Sequence, residues 1–242
     1  RKPVIIYTLK QQKERKMKQK NIAIIDTETA GGFGNLKIYD FGLVVMTQKG
    51  EIIAEYESLV REVFVPKEMA TAYYSEKISC YYSMMYDGMR IRDWDTIRDD
   101  VNAILEKHNV GIISAYNLGF DMRAIKSAQT KYSKHSKFLT AKYDLLDLWE
   151  WSCTELLNKK TYHKFADTHN LKSEKGNYKT SAEVGYKFIN DLPNFVESHT
   201  ALDDCYIEAE ICNKLLKRKG KKPLNQINGS PWRKAQPLKK VA

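Results

Sequence analysis

The chain has 242 residues, 43% of them hydrophobic and 29% charged, so it can bury one sizeable core and is not a disordered polymer. Its 40 Lys and Arg outnumber 30 Asp and Glu, and the excess sits at the ends: residues 1–20 carry +7, 21–213 carry −7 and 214–242 carry +10. No run approaches the roughly 18 apolar residues of a membrane span, the first apolar stretch is too short for a secretion signal, and Cys80, Cys153, Cys205 and Cys212 form no C-x-x-C pair; a membrane protein is excluded, neither a disulfide framework nor a structural zinc site is expected, and a cytoplasmic location is expected.

Residues 1–20 read as a basic extension, within which Met17 is a plausible natural start. Ile22-Ala-Ile-Ile25 is a β-branched run of strand length that ends at Asp26-Thr27-Glu28. The Gly31-Gly32-Phe33-Gly34 segment has no G-K-[ST] after it, so it reads as a mobile loop and not a phosphate loop. Ile38–Met46 and Ile52–Val60, joined through Gln48-Lys49-Gly50, complete an antiparallel meander of three strands. Tyr73 to Tyr86, followed by Arg90 and Arg92, interleaves aromatics with cations; it suits either base stacking or plain core packing. Trp94, Ile97, Val101, Ile104 and Leu105 have the spacing of an amphipathic helix. Gly111–Tyr116 reads as a fourth strand, and Asp121 opens a helix running from about Met122 to Thr130. Residues Phe195 to Thr200 lead into a last helix whose apolar stripe is Leu202, Cys205, Ala209, Cys212 and Leu216. Strands followed by alternating helices and strands predict an α/β domain with a mixed sheet and packed helices over residues 21–219. The segment 220–242, basic and holding Pro223, Pro231 and Pro237, is expected to be a flexible tail.

Four acids occupy positions where chemistry is conceivable. Asp26 and Glu28, one residue apart on a strand, point to the same side. Asp121 follows a strand, and Asp204 lies five residues after His199. Each has an ordinary alternative: turn caps for the strand-end acids, an N-cap for Asp121, an ion pair for Asp204. If their elements converge, the mutual repulsion demands cations, and carboxylate oxygens select magnesium or manganese. His199 is either a capping residue or, with an unperturbed pKa near 6.5, a base at neutral pH.

In order and spacing these residues resemble the DEDDh branch of the DnaQ-like 3′→5′ exonucleases, which have the ribonuclease H-like fold. The first motif looks like Ile24-Ile25-Asp26-Thr27-Glu28-Thr29-Ala30-Gly31; the second resembles Ala115-Tyr116-Asn117-Leu118-Gly119-Phe120-Asp121; the third is similar to His199-Thr200-Ala201-Leu202-Asp203-Asp204. One departure is Tyr116, where the family commonly has histidine. The resemblance implies two divalent cations, Mg2+ or Mn2+, on Asp26, Glu28, Asp121 and Asp204, with His199 as general base. It also implies that Thr27 and Glu28 contact the terminal nucleotide and its 3′-hydroxyl, and that Asn117 lines the substrate groove.

The expectation is therefore a metal-dependent exonuclease that removes mononucleotides from single-stranded or frayed 3′ ends. DNA is the preferred substrate, with RNA as the runner-up and a non-catalytic nucleic-acid-binding protein as the rival. The basic ends would hold the polyanion, or contact a polymerase or another replication or repair protein. His108, His135, His163 and His169 show no ligand spacing and receive no role.

Overall fold

The computed structural model describes residues 20–32, 34–72, 75–134, 138–139, 142–218 and 220–237. The N-terminal extension up to Gln19, Phe33 of the glycine-rich loop, Tyr73, Tyr74 and His135 lie outside them. The described residues form a mixed six-stranded sheet. Strands β1 (Asn21–Ala30), β2 (Lys37–Met46) and β3 (Ile52–Val60) make the expected antiparallel meander. The short β4 (Ile91–Arg92) pairs parallel with the end of β3. On the other side of β1 lie β5 (Val110–Ala115) and then β6 (Asp144–Asp147), both parallel, giving the order β4-β3-β2-β1-β5-β6.

Because neighbouring residues of a strand point to opposite faces, a sheet covered on both sides needs continuous apolar runs. That is why residues 22–25 are all fully buried. A single-turn helix, α1 (Pro66–Met69), follows the meander. Ala23, Ile25, Phe41 and Leu43 pack under α2 (Ile78–Tyr86), α3 (Trp94–Lys107) and α4 (Leu118–Tyr132). Ile22, Ile24, Val44 and Met46 pack under α5 (Leu148–Glu155), α6 (Lys160–Thr168), α7 (Ala182–Asn190) and α8 (Ala201–Leu216).

The predicted α3 has a cap the spacing did not reveal: Asp93 accepts from the Thr96 amide at 2.9 Å. The helix after β5 starts at Leu118, four residues before the expected start, so Asp121 belongs to its first turn. Of the aromatic stretch, Tyr81 is a core residue packed edge-on against Tyr39 and Phe64, whereas Tyr82 and Tyr86 are exposed.

The segment expected to be a flexible tail differs most from its composition. Residues 220–237 run back along the domain: the Asn225 amide donates to the Leu145 carbonyl at 2.7 Å, Leu224 bridges Leu146, and the turn Pro231–Ala235 lies against α5. Pro231 and Ala235 are buried, and Lys234 pairs with Glu150. Proline here starts a helical turn, where its missing N–H is no loss. Among the described residues no helix is long and apolar enough to cross a membrane.

Gly42 of β2 pairs with Asp26 and lies directly under the start of α8; a Cβ there would come within 2.4 Å of the Ala201 carbonyl group. Neither backbone can yield without lifting the helix. Gly42→Ala is expected to cost about 1–3 kcal/mol as overpacking, a fall in melting temperature of roughly 2–12 °C for a chain of this size. An unchanged thermal unfolding curve contradicts this packing.

Candidate active site

The site lies at the carboxyl end of the parallel strands, where an open α/β sheet presents its crevice. Asp26 and Glu28 fall on the same face of β1 as Ile22 and Ile24, the face that α8 covers. Asp204 sits in the first turn of α8, and Glu208 follows one turn later. A cleft of about 390 Å³ is lined by the acids Asp26, Glu28, Glu197, Asp204 and Glu208 with His199, and by Tyr116, Asn117, Trp149 and Thr180. One ligand atom each of Glu28, His199 and Asp204 lies within 4.8 Å of the other two, a cluster fit to hold one metal ion.

Asp121 is almost fully buried, and Thr27 accounts for its orientation. Thr27 is on the opposite face of β1 from Asp26 and Glu28, and its hydroxyl donates to Asp121 Oδ1 at 2.8 Å. The side chain expected to touch the substrate thus holds a carboxylate in place. Asn117 caps α4 in a left-handed conformation (φ 70°) and lines the cleft.

The last motif is fixed from beneath by Asp40, a buried acid and the one charge in Ile38–Met46. Its Oδ2 accepts from the Ala201 amide and from the Tyr81 hydroxyl, each at 2.9 Å. The Tyr81 hydroxyl is also 3.3 Å from the His199 carbonyl oxygen. His199 itself has a left-handed backbone (φ 56°), and its Nδ1 is 3.9 Å from both Glu197 Oε2 and Asp204 Oδ2. The adjacent Asp203 points outward and accepts from Ser198 and Thr200 hydroxyls at 2.7 and 2.9 Å, so only the second of the two aspartates faces the cleft.

So many acids in one place resist ionisation. Burial, and then the charge of Asp204, pushes Glu28 up to about 9. Burial raises Asp121 to about 7, although the Thr27 hydroxyl opposes the rise. Asp26 is held well above the usual carboxylate range by burial and by Asp121 and Glu208. Glu197 is pushed up to about 8, by burial and Asp204. Glu208 is also raised, by burial and Asp121, though the Tyr116 amide donates to its Oε2 at 2.9 Å. No Lys or Arg stands among the described residues of the cleft wall to relieve this repulsion. Such a set of hard oxygen donors fits divalent cations, whose charge reverses the pKa logic.

Sequence reading missed Glu197, Glu208 and Asp40. Glu208 was visible as an acid four residues after Asp204 on the same helix face, and Asp40 as the lone charge in Ile38–Met46. Tyr116, in place of the resembled family's usual histidine, donates its hydroxyl to the Thr180 carbonyl at 2.7 Å and so joins the cleft wall. Trp149 reaches the same residue, its Nε1 donating to Thr180 Oγ1 at 2.9 Å.

Without cations the raised carboxyls make stability fall with pH. Below about 4.5 Glu28 is protonated folded or unfolded, and its burial carries no ionisation penalty; between 4.5 and about 9 the unfolded chain releases a proton that the folded one retains. Asp121 adds the same sign between 3.8 and about 7. In chelator, the melting temperature is therefore expected to drop as pH rises from 5 to 8, and millimolar MgCl2 to restore it at pH 8. A flat profile in both solutions contradicts the clustering of these acids.

No family model and no curated protein matches this sequence. Solved structures do match. A 3′-exonuclease described for 3′-end recognition of the histone mRNA stem-loop is 14% identical with a TM-score of 0.55; the match covers 93% of this chain and 75% of that one. Pop2p of S. pombe, with Mg2+ and Mn2+ bound, is 16% identical with a TM-score of 0.51, over 90% and 95% of the two chains. E. coli Exonuclease I in complex with a dA16 oligonucleotide is 13% identical with a TM-score of 0.54; 83% of this chain is covered but only 41% of the exonuclease, so this chain spans less than half of that protein. At these identities the likeness establishes the fold, which is ribonuclease H-like. The fold agrees with the one the sequence resemblance implies, and Glu28, His199 and Asp204 of its motifs meet in one cluster.

Proposed function

We propose that this chain is a metal-dependent 3′→5′ exonuclease acting on single-stranded or frayed nucleic-acid ends and releasing mononucleotides. The observation that carries this reading is the convergence of Asp26, Glu28 and Asp204, from β1 and α8, beside His199 at an open cleft, with the buried Asp121 of α4 near enough to raise the pKa of Asp26. Two Mg2+ or Mn2+ ions held by these four carboxylates would neutralise the scissile phosphate and lower the pKa of the attacking water. His199 accepts that water's proton as neutral imidazole. Thr27 fixes the Asp121 carboxylate through its hydroxyl, and Asn117 with Tyr116 bounds the space for the terminal nucleotide. A binding protein without catalysis has no use for repelling buried carboxylates, which argues against the non-catalytic alternative.

For the substrate, DNA is favoured and RNA is the alternative: the motifs contain nothing that reads a 2′-hydroxyl, and the structural neighbours include one described with an RNA stem-loop and one with a DNA oligonucleotide. A time course on 3′- and 5′-labelled single strands of DNA and RNA of matched sequence, with MgCl2, MnCl2 or chelator, tests the reading. The expected result is immediate release of the 3′ label as mononucleotide, a descending ladder from the 5′ label, and no product in chelator. Internal cuts, or loss of the 5′ label first, overturn it.

A further inference from the structure

A groove larger than the catalytic cleft lies elsewhere on the described residues. It has a volume of about 490 Å³ and lies between the outer face of α8, the β2–β3 hairpin and the segment 195–198. Its apolar wall is formed by Ile52, Tyr186, Phe195, Val196, Tyr206 and Ile207. Three of these are exposed to a degree that folding alone does not require: Val196 at 72%, Ile52 at 44% and Tyr206 at 37%. Contiguous apolar exposure of this kind marks a contact surface.

The polar lining decides what can enter. Asp203 and Glu210 line the groove, Glu55 accepts from the Tyr206 hydroxyl at its rim, and no Lys, Arg or His lines it among the described residues. In a chain of net charge +10, this is a locally anionic surface. Nucleic acid, the polyanion handled next door, is excluded by repulsion. The adjoining strand edge sets the shape: β3 pairs outward only at Leu59 and Val60 among the described residues, leaving the edge from Ile52 onward open to an added strand.

We propose that this groove is a docking site for an extended, basic and aliphatic segment of a partner protein, whose Val or Ile side chains seat on Ile52 and Val196 while Lys or Arg side chains meet Asp203, Glu210 and Glu55. The site adjoins the chemistry without being part of it. Phe195, Val196 and Ser198 line the groove, whereas Glu197 and His199 of the same segment line the cleft. A docked segment therefore rests on the back of the loop that carries His199.

The test is selection of a phage-displayed library of random peptides on the immobilised full chain, with MgCl2 and a single-stranded oligonucleotide present to occupy the cleft and the basic arms. Enriched sequences are expected to alternate Lys or Arg with Val or Ile. Synthetic peptides made from them should bind Val196→Lys and Glu210→Lys more weakly by roughly tenfold or more, as expected for central contacts, and should bind Glu28→Gln as they bind the parent. Both groove residues are exposed, so the variants should keep the parental melting temperature. No enrichment, acidic or uncharged consensus sequences, or affinity lost in Glu28→Gln and kept in the groove variants would overturn the proposal. The readout is binding, so it stands or falls independently of nuclease activity.

Discussion

Asp204→Asn and Glu28→Gln each lower turnover on a single-stranded oligonucleotide by at least about 10²–10³-fold, the scale seen when one preorganised electrostatic contact to a transition state is removed, and both variants melt at higher temperature than the parent in chelator at pH 8. The two effects have one cause. These carboxylates are placed by β1 and α8 within a few ångströms of each other and close to Asp26, where burial and mutual repulsion hold Glu28 at about 9. A neutral amide of the same shape relieves that repulsion in the cation-free fold, and each pKa unit relieved is worth ~1.4 kcal/mol. The same amide is a poor ligand for a hard cation, so MgCl2 should raise the melting temperature of the parent more than that of either variant. Circular dichroism melts and single-turnover rates check both halves. A variant that melts lower and is inactive indicates a structural role; one that melts higher and cleaves normally removes the residue from the site.

The parts of this design legible in the sequence are those written in a single period. Ile22–Ile25 followed by Asp26 and Glu28 gives both the buried strand and the shared face of its two acids, and Cys205, Ala209 and Cys212 give the buried stripe of α8. Between residues 144 and 190 the pattern fails. β6 has four residues with an acid at each end, and α6 buries only Tyr162 and Ala166, too few positions to set a helical period. Long-range contacts were equally hidden. Asp40 acts at the start of α8, 161 residues away, and Thr27 at Asp121, 94 residues away, and no local pattern encodes either. The packing of residues 220–237 was hidden for a related reason: their prolines and glycines suggest disorder by composition, whereas Pro231 and Ala235 find a buried place against α5 that only the folded domain supplies.

His199→Ala is expected to lower turnover by about 10²–10⁴-fold, the usual worth of a positioned general base, while leaving oligonucleotide affinity in MgCl2 close to that of the parent. Two roles are open to this side chain by geometry. It stands in the cluster with Glu28 and Asp204, where a ring nitrogen is one ligand atom among three, and it faces the cleft on a left-handed backbone, anchored through a carbonyl 3.3 Å from the Tyr81 hydroxyl. Carboxylate sites for magnesium are built from oxygen, and a neutral imidazole contributes little to them. The base reading thus predicts that the rise in melting temperature with added MgCl2 is the same in His199→Ala as in the parent, whereas a ligand would weaken it. It also predicts that the acidic limb of the pH–rate profile disappears in the variant, because the group whose deprotonation produces that limb is gone. Added imidazole should restore part of the rate in the alanine variant, by filling the space left beside Glu197 and Asp204 with the same base. A variant with parental pH dependence and a weakened response to MgCl2 would assign His199 to the cation and leave the proton to another acceptor, with Glu197, buried at the same cleft and pushed up to about 8, next in line.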